Sequence, residues 1–432
     1  MTLDTASYID ALAGFIQAAP SSYHAAAEVA ARLTAADFTR LDETADWPEA
    51  PGRYVVVRDG AVMAWIVPEG AGPLTPFRVL GAHTDSPGFK LKPHPTTSVN
   101  GWLQAGVEVY GGPLLNSWLD RELELAGRLV TTDGTEHLVR TGPFLRIPQL
   151  AIHLDRGVNN DGLTLDKQRH TQPVWGAGDT AGFSQDGLLE HLASLAGVAA
   201  SDIAGYDIPT ADTAAPARFG LDDSLFAAGR MDNLTSVFAG LTALLAEASS
   251  SVSATGHISV LAAFDHEELG SESRSGAAGP FLADVLERIG AGLGASASDS
   301  LRSIAASWCV SADAGHAVHP NYAERHDPVN KPVPGGGPLL KINANQRYAT
   351  DAAGSALWAR LCAAAGVPFQ EFVSNNALPC GSTIGPITAT RLGIRTVDVG
   401  APLLSMHSAR ELVHVDDAAA LAAAVTAFFA GE

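Results

Sequence analysis

Apolar residues recur at helical spacing near the start of the chain, at Tyr8, Leu12, Phe15 and Ile16, and predict helix from Ser7 to Leu33. Pro20-Ser21-Ser22 interrupts that run before the spacing resumes at Tyr23, because proline and serine favour helix starts over helix interiors. Tyr54 to Val57 and Ala61 to Val67 are continuous apolar runs separated by the turn pair Asp59-Gly60, which predicts two strands. A third run, Phe77 to Ala82, leads straight into His83-Thr84-Asp85. Later strands are predicted over Ile258 to Phe264, Ser307 to Ala312 and Thr396 to Val399. A helix is predicted to start near Asn233 and to cover Leu234 to Ala246, and Asp416 and Asp417 read as caps of a closing helix through Phe429. The Ala/Ser/Gly-rich stretch from Gly290 to Ser300 reads as a surface loop. Strands alternating with helices predict an α/β fold: a mostly parallel sheet flanked by helices.

Between about Leu91 and Ala215 the texture changes. Short β-rich pieces, such as Val107 to Tyr110 and Gly127 to Val130, are punctuated by glycine, proline and polar loops. Residues 91–215 are therefore expected to form a β-rich unit inserted into an α/β domain made of residues 1–90 and 216–432.

With 432 residues, 46% of them hydrophobic and 17% charged, the chain is long enough for two well-cored domains. A net charge of −20 opposes nucleic-acid binding and a basic membrane-surface role. No apolar run is long enough to span a bilayer, and Met1-Thr2-Leu3-Asp4 lacks the basic start of a signal peptide. The cysteines Cys309, Cys362 and Cys380 form no C-x-x-C pair, so the expectation is a reducing cytoplasm without disulfides or a thiolate metal site.

The chemistry sits where predicted strands end. Phe77 to Ala82 ends at His83 and Asp85. Ile258 to Phe264 ends at Asp265-His266-Glu267-Glu268, and Ser307 to Ala312 ends at Asp313, followed by His316 and His319. Ligands of open α/β sheets bind beyond the carboxyl ends of the strands, so these residues are expected on one rim. Asp232 and His407 are further candidates, from a helix start and a loop. Adjacent glutamates repel each other, which calls for a positive neighbour, and a metal satisfies that need most economically. Imidazole and carboxylate without sulfur suit Zn²⁺, and equally Mn²⁺ or Co²⁺. Competing motifs fail: His266-Glu267 does not continue to H-E-x-x-H because Gly270 takes the fifth place, and Gly335-Gly336-Gly337 lacks the P-loop lysine.

The motifs GAHTDSPGFKLKP, GRMDN, DHEELGSESRSGA, SADAGHAVHPNY, LKINANQRYA, PCGSTIGP and MHSARE, in this order, resemble those of the aspartyl aminopeptidase family. The resemblance runs from about Tyr8 to the end of the chain. It implies a di-zinc aminopeptidase that removes N-terminal residues, preferably Asp or Glu, from peptides. It further implies an α/β domain of zinc-peptidase type, interrupted by a β-rich dimerisation domain and assembled into a closed dodecamer. By the same resemblance Asp232 bridges two divalent metal ions, Glu268 and His407 complete one site, and His83 and Asp313 the other. Glu267 is then the general base and Asp85 orients His83. His153 would reach a neighbouring subunit's site, and His316 and Lys341 would face the substrate, Lys341 pairing with its acidic side chain.

Three positions depart from the family pattern. Ala377 stands where the family has an acidic residue, Leu378 is more apolar than its counterpart, and His266 replaces a small polar residue. Two other readings stay open on sequence: a related di-metal deacylase or leucine-preferring aminopeptidase, and a non-catalytic shell or carrier protein.

Overall fold

In the computed structural model, which describes residues 4–49, 51–178, 187–249 and 256–432, nine strands form the main sheet. Their spatial order is Thr39–Arg40, Gly52–Arg58, Ala61–Val67, Ile258–Phe264, Phe77–His83, Trp308–Ala312, Arg395–Gly400, Leu339–Ile342, Gln370–Val373. The central four, from Ile258–Phe264 to Arg395–Gly400, are mutually parallel. Antiparallel pairs join this block to Ala61–Val67 on one side and Leu339–Ile342 on the other. A strand covered on both faces has no polar position to spare, which explains why Ile258–Phe264 and Ala61–Val67 are buried at every residue.

The two faces separate by the period of two. Val55, Leu80, Leu261 and Ala263 pack into one cluster with the helices Thr5–Ala18, Ser22–Thr34, Met231–Ser249, Ala352–Ala365 and Val415–Ala430. Val56, Val79, Val260 and Ala262 join the opposite cluster, which includes Phe281, Val285 and Ile289 of the helix Phe281–Gly292 and Ile384 of Ile384–Leu392. The result is a three-layer α/β sandwich. A five-stranded sheet, Ala217–Phe219, Leu225–Ala228, Glu411–His414, Pro402–Leu404 and Gly315–His316, adjoins it.

Residues between Gly88 and Asp212 contribute two further sheets. One has Gly88–Val99, Trp102–Tyr110 and Val174–Ala177; the other centres on Leu123–Thr131, paired with Glu136–Arg140, Ile203–Asp207 and Thr210–Asp212. They share a core of Phe89, Leu91, Val107, Leu125, Leu145 and Ile208.

Several sequence expectations need correction. The closing helix starts at Val415 and is capped by the His414 ring, which accepts from Asp416 N; Asp417 is instead buried and accepts from Gly335 N and Gly337 N. Gly290 to Ser300 is mostly helical: Phe281–Gly292 ends there and Ala297–Ala306 begins, closed by a capping box between Ser296 and Asp299. The helix expected over Leu234 to Ala246 is present within Met231–Ser249, and the non-helical angles at Asp232 and Asn233 place the start of its regular part just after Asn233, as expected.

Candidate metal centre

The rim at the ends of the parallel strands gathers the polar groups. Phe264 and His83 are register partners, so both strands finish at the same level. After Phe264 the chain turns sharply through His266, whose φ of 63° is left-handed. His266 N donates to Asp265 Oδ1 at 3.0 Å, and its carbonyl accepts from Ser271 N at 2.8 Å. Its Nδ1 shares a 2.8 Å hydrogen bond with Ser273 Oγ. His266 thus shapes the turn of 3-10 helix, Glu267–Leu269, that presents both glutamates. Asp313 follows Trp308–Ala312, its amide held by Val399 O at 3.0 Å.

Two histidines and three carboxylates form overlapping clusters. His83 Nε2 lies 3.2 Å from Asp232 Oδ1 and 3.4 Å from Asp313 Oδ1. His407 Nε2 lies 3.5 Å from Asp232 Oδ2 and 3.4 Å from Glu268 Oε2. Asp232 therefore presents one oxygen to each histidine. Glu267 joins His83 and Glu268 in a third grouping of potential ligand atoms.

Each imidazole is fixed from behind. His83 Nδ1–H donates to the Asp85 carbonyl at 3.1 Å, and His407 Nδ1–H donates to the Gly112 carbonyl at 3.0 Å. With Nδ1 engaged, Nε2 is the nitrogen turned to the carboxylates, the arrangement a metal-binding histidine needs. Asp232 Oδ1 is buried without a hydrogen bond in bonding geometry, although His83 is close. These donors fit divalent cations: in each group the nitrogen and oxygen atoms lie within 4.8 Å of one another, with no sulfur among them.

The electrostatics point the same way. Burial, reinforced by Asp313, Asp232 and Asp85, pushes Glu267 up to about 8, against the pull of His83. Burial and Asp232 hold Glu268 well above the usual carboxylate range. Burial disfavours the charged His407 ring, but the Asp232 hydrogen bond and the Glu268 charge outweigh it and raise the ring to about 10. So much negative charge packed together leaves a deficit that added cations would fill.

Supporting residues surround the cluster. Asp85 is buried, lies 3.3 Å from His83 Nδ1, and accepts from Glu267 N at 3.0 Å, Glu268 N at 3.2 Å and Tyr110 Oη at 2.8 Å. Glu411 was missed as a site residue, although it ends the MHSARE motif: it accepts from Asp232 N at 3.0 Å and His407 N at 2.9 Å. Tyr110 was missed because nothing in its sequence neighbourhood marks it; only the fold brings it to Asp85.

The expected substrate residues divide. His316 lines a cavity of ≈ 290 Å³ with His319, Arg325, Tyr348, Leu378 and Met406. Lys341 is 1% exposed; its Nζ donates to Ala314 O at 2.7 Å, lies 3.6 Å from Asp313 Oδ2, and sits 5.3 Å from the ring centroid of Tyr348, which lines that cavity. Within Leu339–Ile342, Leu340 joins the main core, and Lys341 alternates onto the other face, shared by Leu339 and Tyr348. His153 lies in an exposed turn of the inserted segment, outside the cluster.

A three-layer α/β domain with a histidine–carboxylate cluster at its parallel strand ends defines a zinc-peptidase-type hydrolase. The model of the family described as "Aminopeptidase I zinc metalloprotease (M18)" matches residues 15–429, so the chain belongs to the M18 family of metalloaminopeptidases. The "Probable M18 family aminopeptidase 2" of Streptomyces avermitilis is 55% identical over 426 residues, 98% of each chain. Among solved structures, the cryo-EM structure of the Ape4 and Nbr1 complex superposes with a TM-score of 0.95 at 36% identity, covering 99% of this chain and 86% of that one. The mApe1 dodecamer of S. cerevesiae superposes with a TM-score of 0.85 at 30% identity, covering 98% and 96%. Among the described residues, no helix is long and apolar enough to cross a membrane.

Proposed function

We propose that the protein is a two-metal aminopeptidase that removes N-terminal residues, preferably Asp or Glu, from peptides in the cytoplasm. The observation that carries this reading is the placement of Asp232, with one oxygen toward His83 and Asp313 and the other toward His407 and Glu268. His83, Asp313 and Asp232 would hold one ion, and Asp232, Glu268 and His407 the other. Bound zinc would polarise the scissile carbonyl and make water acidic enough to give up a proton near neutral pH.

The chain's own residues do the rest. Glu267 accepts the proton of the attacking water and returns it to the leaving amine. Asp85 holds the amides of Glu267 and Glu268 and steadies the His83 ring. An acidic substrate side chain enters the cavity beside His316, where Arg325 supplies positive charge. Lys341 adds its charge from behind Asp313. Residues 91–215 act as a dimerisation domain in a homo-dodecamer, the assembly in which mApe1 of S. cerevesiae has been solved, and His153 would reach a neighbouring subunit's site. Leu378 on the cavity wall is the observation that favours a second reading, a preference for neutral residues.

Hydrolysis of aspartyl, glutamyl and leucyl arylamides by the zinc-loaded protein decides between them. The proposal predicts kcat/KM at least about tenfold higher for the acidic substrates, the scale of a single well-placed charge contact. Faster leucyl cleavage would remove the acidic preference and leave the metal chemistry standing.

A further inference from the structure

The strand Trp102–Tyr110 ends against the candidate metal centre. Tyr110 Oη donates to Asp85 Oδ2 at 2.8 Å, the same carboxylate that accepts from the amides of Glu267 and Glu268. Two residues on, the Gly112 carbonyl accepts from His407 Nδ1 at 3.0 Å, and Leu114 N donates to His407 O at 2.9 Å. Between them Gly111 passes so close to Glu268 that an added Cβ would lie 3.2 Å from Glu268 Cβ, at a left-handed φ of 67°. Beyond, Ser117 Oγ accepts from Ala409 N at 2.9 Å. One short stretch of the inserted segment thus touches the supports of His83, Glu267, Glu268 and His407. This is more than a tether requires, since a tether needs no bond to the groups that orient metal ligands.

We propose that the 110–114 stretch is a positioning element of the centre, with Tyr110 its principal positioning residue, so that the inserted unit sets the geometry of both metal sites from within its own chain. The inference rests on the ligand assignment above. Tyr110 acts through Asp85: its hydroxyl fixes Oδ2 while His83 and the Glu267 amide occupy the Oδ1 side. Gly112 acts directly on His407 through a backbone oxygen that no side-chain substitution removes.

The test is Tyr110→Phe in the full-length protein, which keeps the ring and removes the hydroxyl. Tyr206→Phe is the control, because Tyr206 is in the same inserted unit and donates to Lys92 O at 2.7 Å, a backbone group outside the metal cluster. Zinc affinity is measured by competition with a chromogenic chelator, and the ligand field by the visible spectrum of the Co²⁺-loaded protein. Tyr110→Phe is expected to weaken zinc about tenfold or more, to alter the Co²⁺ spectrum, and to lower kcat with KM little changed. Tyr206→Phe is expected to match wild type in all three. Wild-type zinc affinity and an unchanged Co²⁺ spectrum in Tyr110→Phe would overturn the proposal. Failure of the wild-type protein to bind zinc would instead overturn the ligand assignment beneath it.

Discussion

Glu267 and Glu268 are neighbours in sequence with different surroundings. Glu268 Oε2 sits 3.4 Å from His407, whereas Glu267 faces His83 with Asp313, Asp232 and Asp85 around it. This division could not be read from the pair alone, because two adjacent acids fix neither direction nor partner. The residues at strand ends were legible, since an apolar run that stops at His or Glu marks a rim. Of the supports, only Asp85, two residues after His83, was expected. Tyr110 and Glu411 become visible only when distant segments meet. Glu411 gives a sharp prediction. Burial, with the Asp232 charge, pushes it up to about 8, yet its oxygens accept from two backbone amides. Glu411→Gln places an NH₂ against one of those N–H groups and should weaken zinc by about tenfold, read by chelator competition. Lys341→Met tests the buried lysine. If its charge serves the acidic substrate from behind Asp313, the aspartyl-to-leucyl ratio of kcat/KM should fall by about tenfold; an unchanged ratio would leave Lys341 a structural group.

At the scale of elements, the central strands were readable because burial on both faces makes their runs mostly apolar, with few polar residues such as Ser259 and Ser311 among them. The short strands Leu339–Ile342 and Gln370–Val373 carry too few residues for a pattern to show. Ala297–Ala306 escaped for another reason: it buries only Ser303, so no apolar stripe announces it, and its capping box defines its start. The strand Arg395–Gly400 lies beside Asp313 with little clearance. A Cβ at Gly400 would fall 1.7 Å from the Asp313 carbonyl oxygen, which is backbone and cannot swing away. Gly400→Ala should therefore displace Asp313, costing about 1–3 kcal/mol in denaturant unfolding and at least one equivalent of bound metal by elemental analysis. Retention of both would show that the rim tolerates movement there.

For the whole molecule, stability should depend on pH through two histidines outside the metal cluster, His257 buried and His24 half-buried. His257 is 4% exposed and bonds through Nε2 to Phe429 O at 2.9 Å; burial, with Arg78 nearby, pushes it down to about 4. Burial, with Arg140 and Arg230, lowers His24 to about 4 as well. In the unfolded chain these rings protonate near 6.5, so as pH falls from 6.5 to 4 the unfolded state gains protons first and stability drops. Above 6.5 both states are neutral and the contribution is flat. His257 alone supplies up to about 3 kcal/mol of this decline, and in metal-free protein His257→Gln should flatten it by that amount. An identical slope in the variant would show that His257 protonates equally in both states.

The central claim is that one cluster of side chains holds two divalent ions while Glu267 moves the proton. It is tested most directly by measuring metal content and turnover together on Glu267→Gln. The account predicts about two ions per chain, as in wild type, with kcat lower by at least about 10²-fold. Turnover within a few-fold of wild type, with the metal retained, would contradict it.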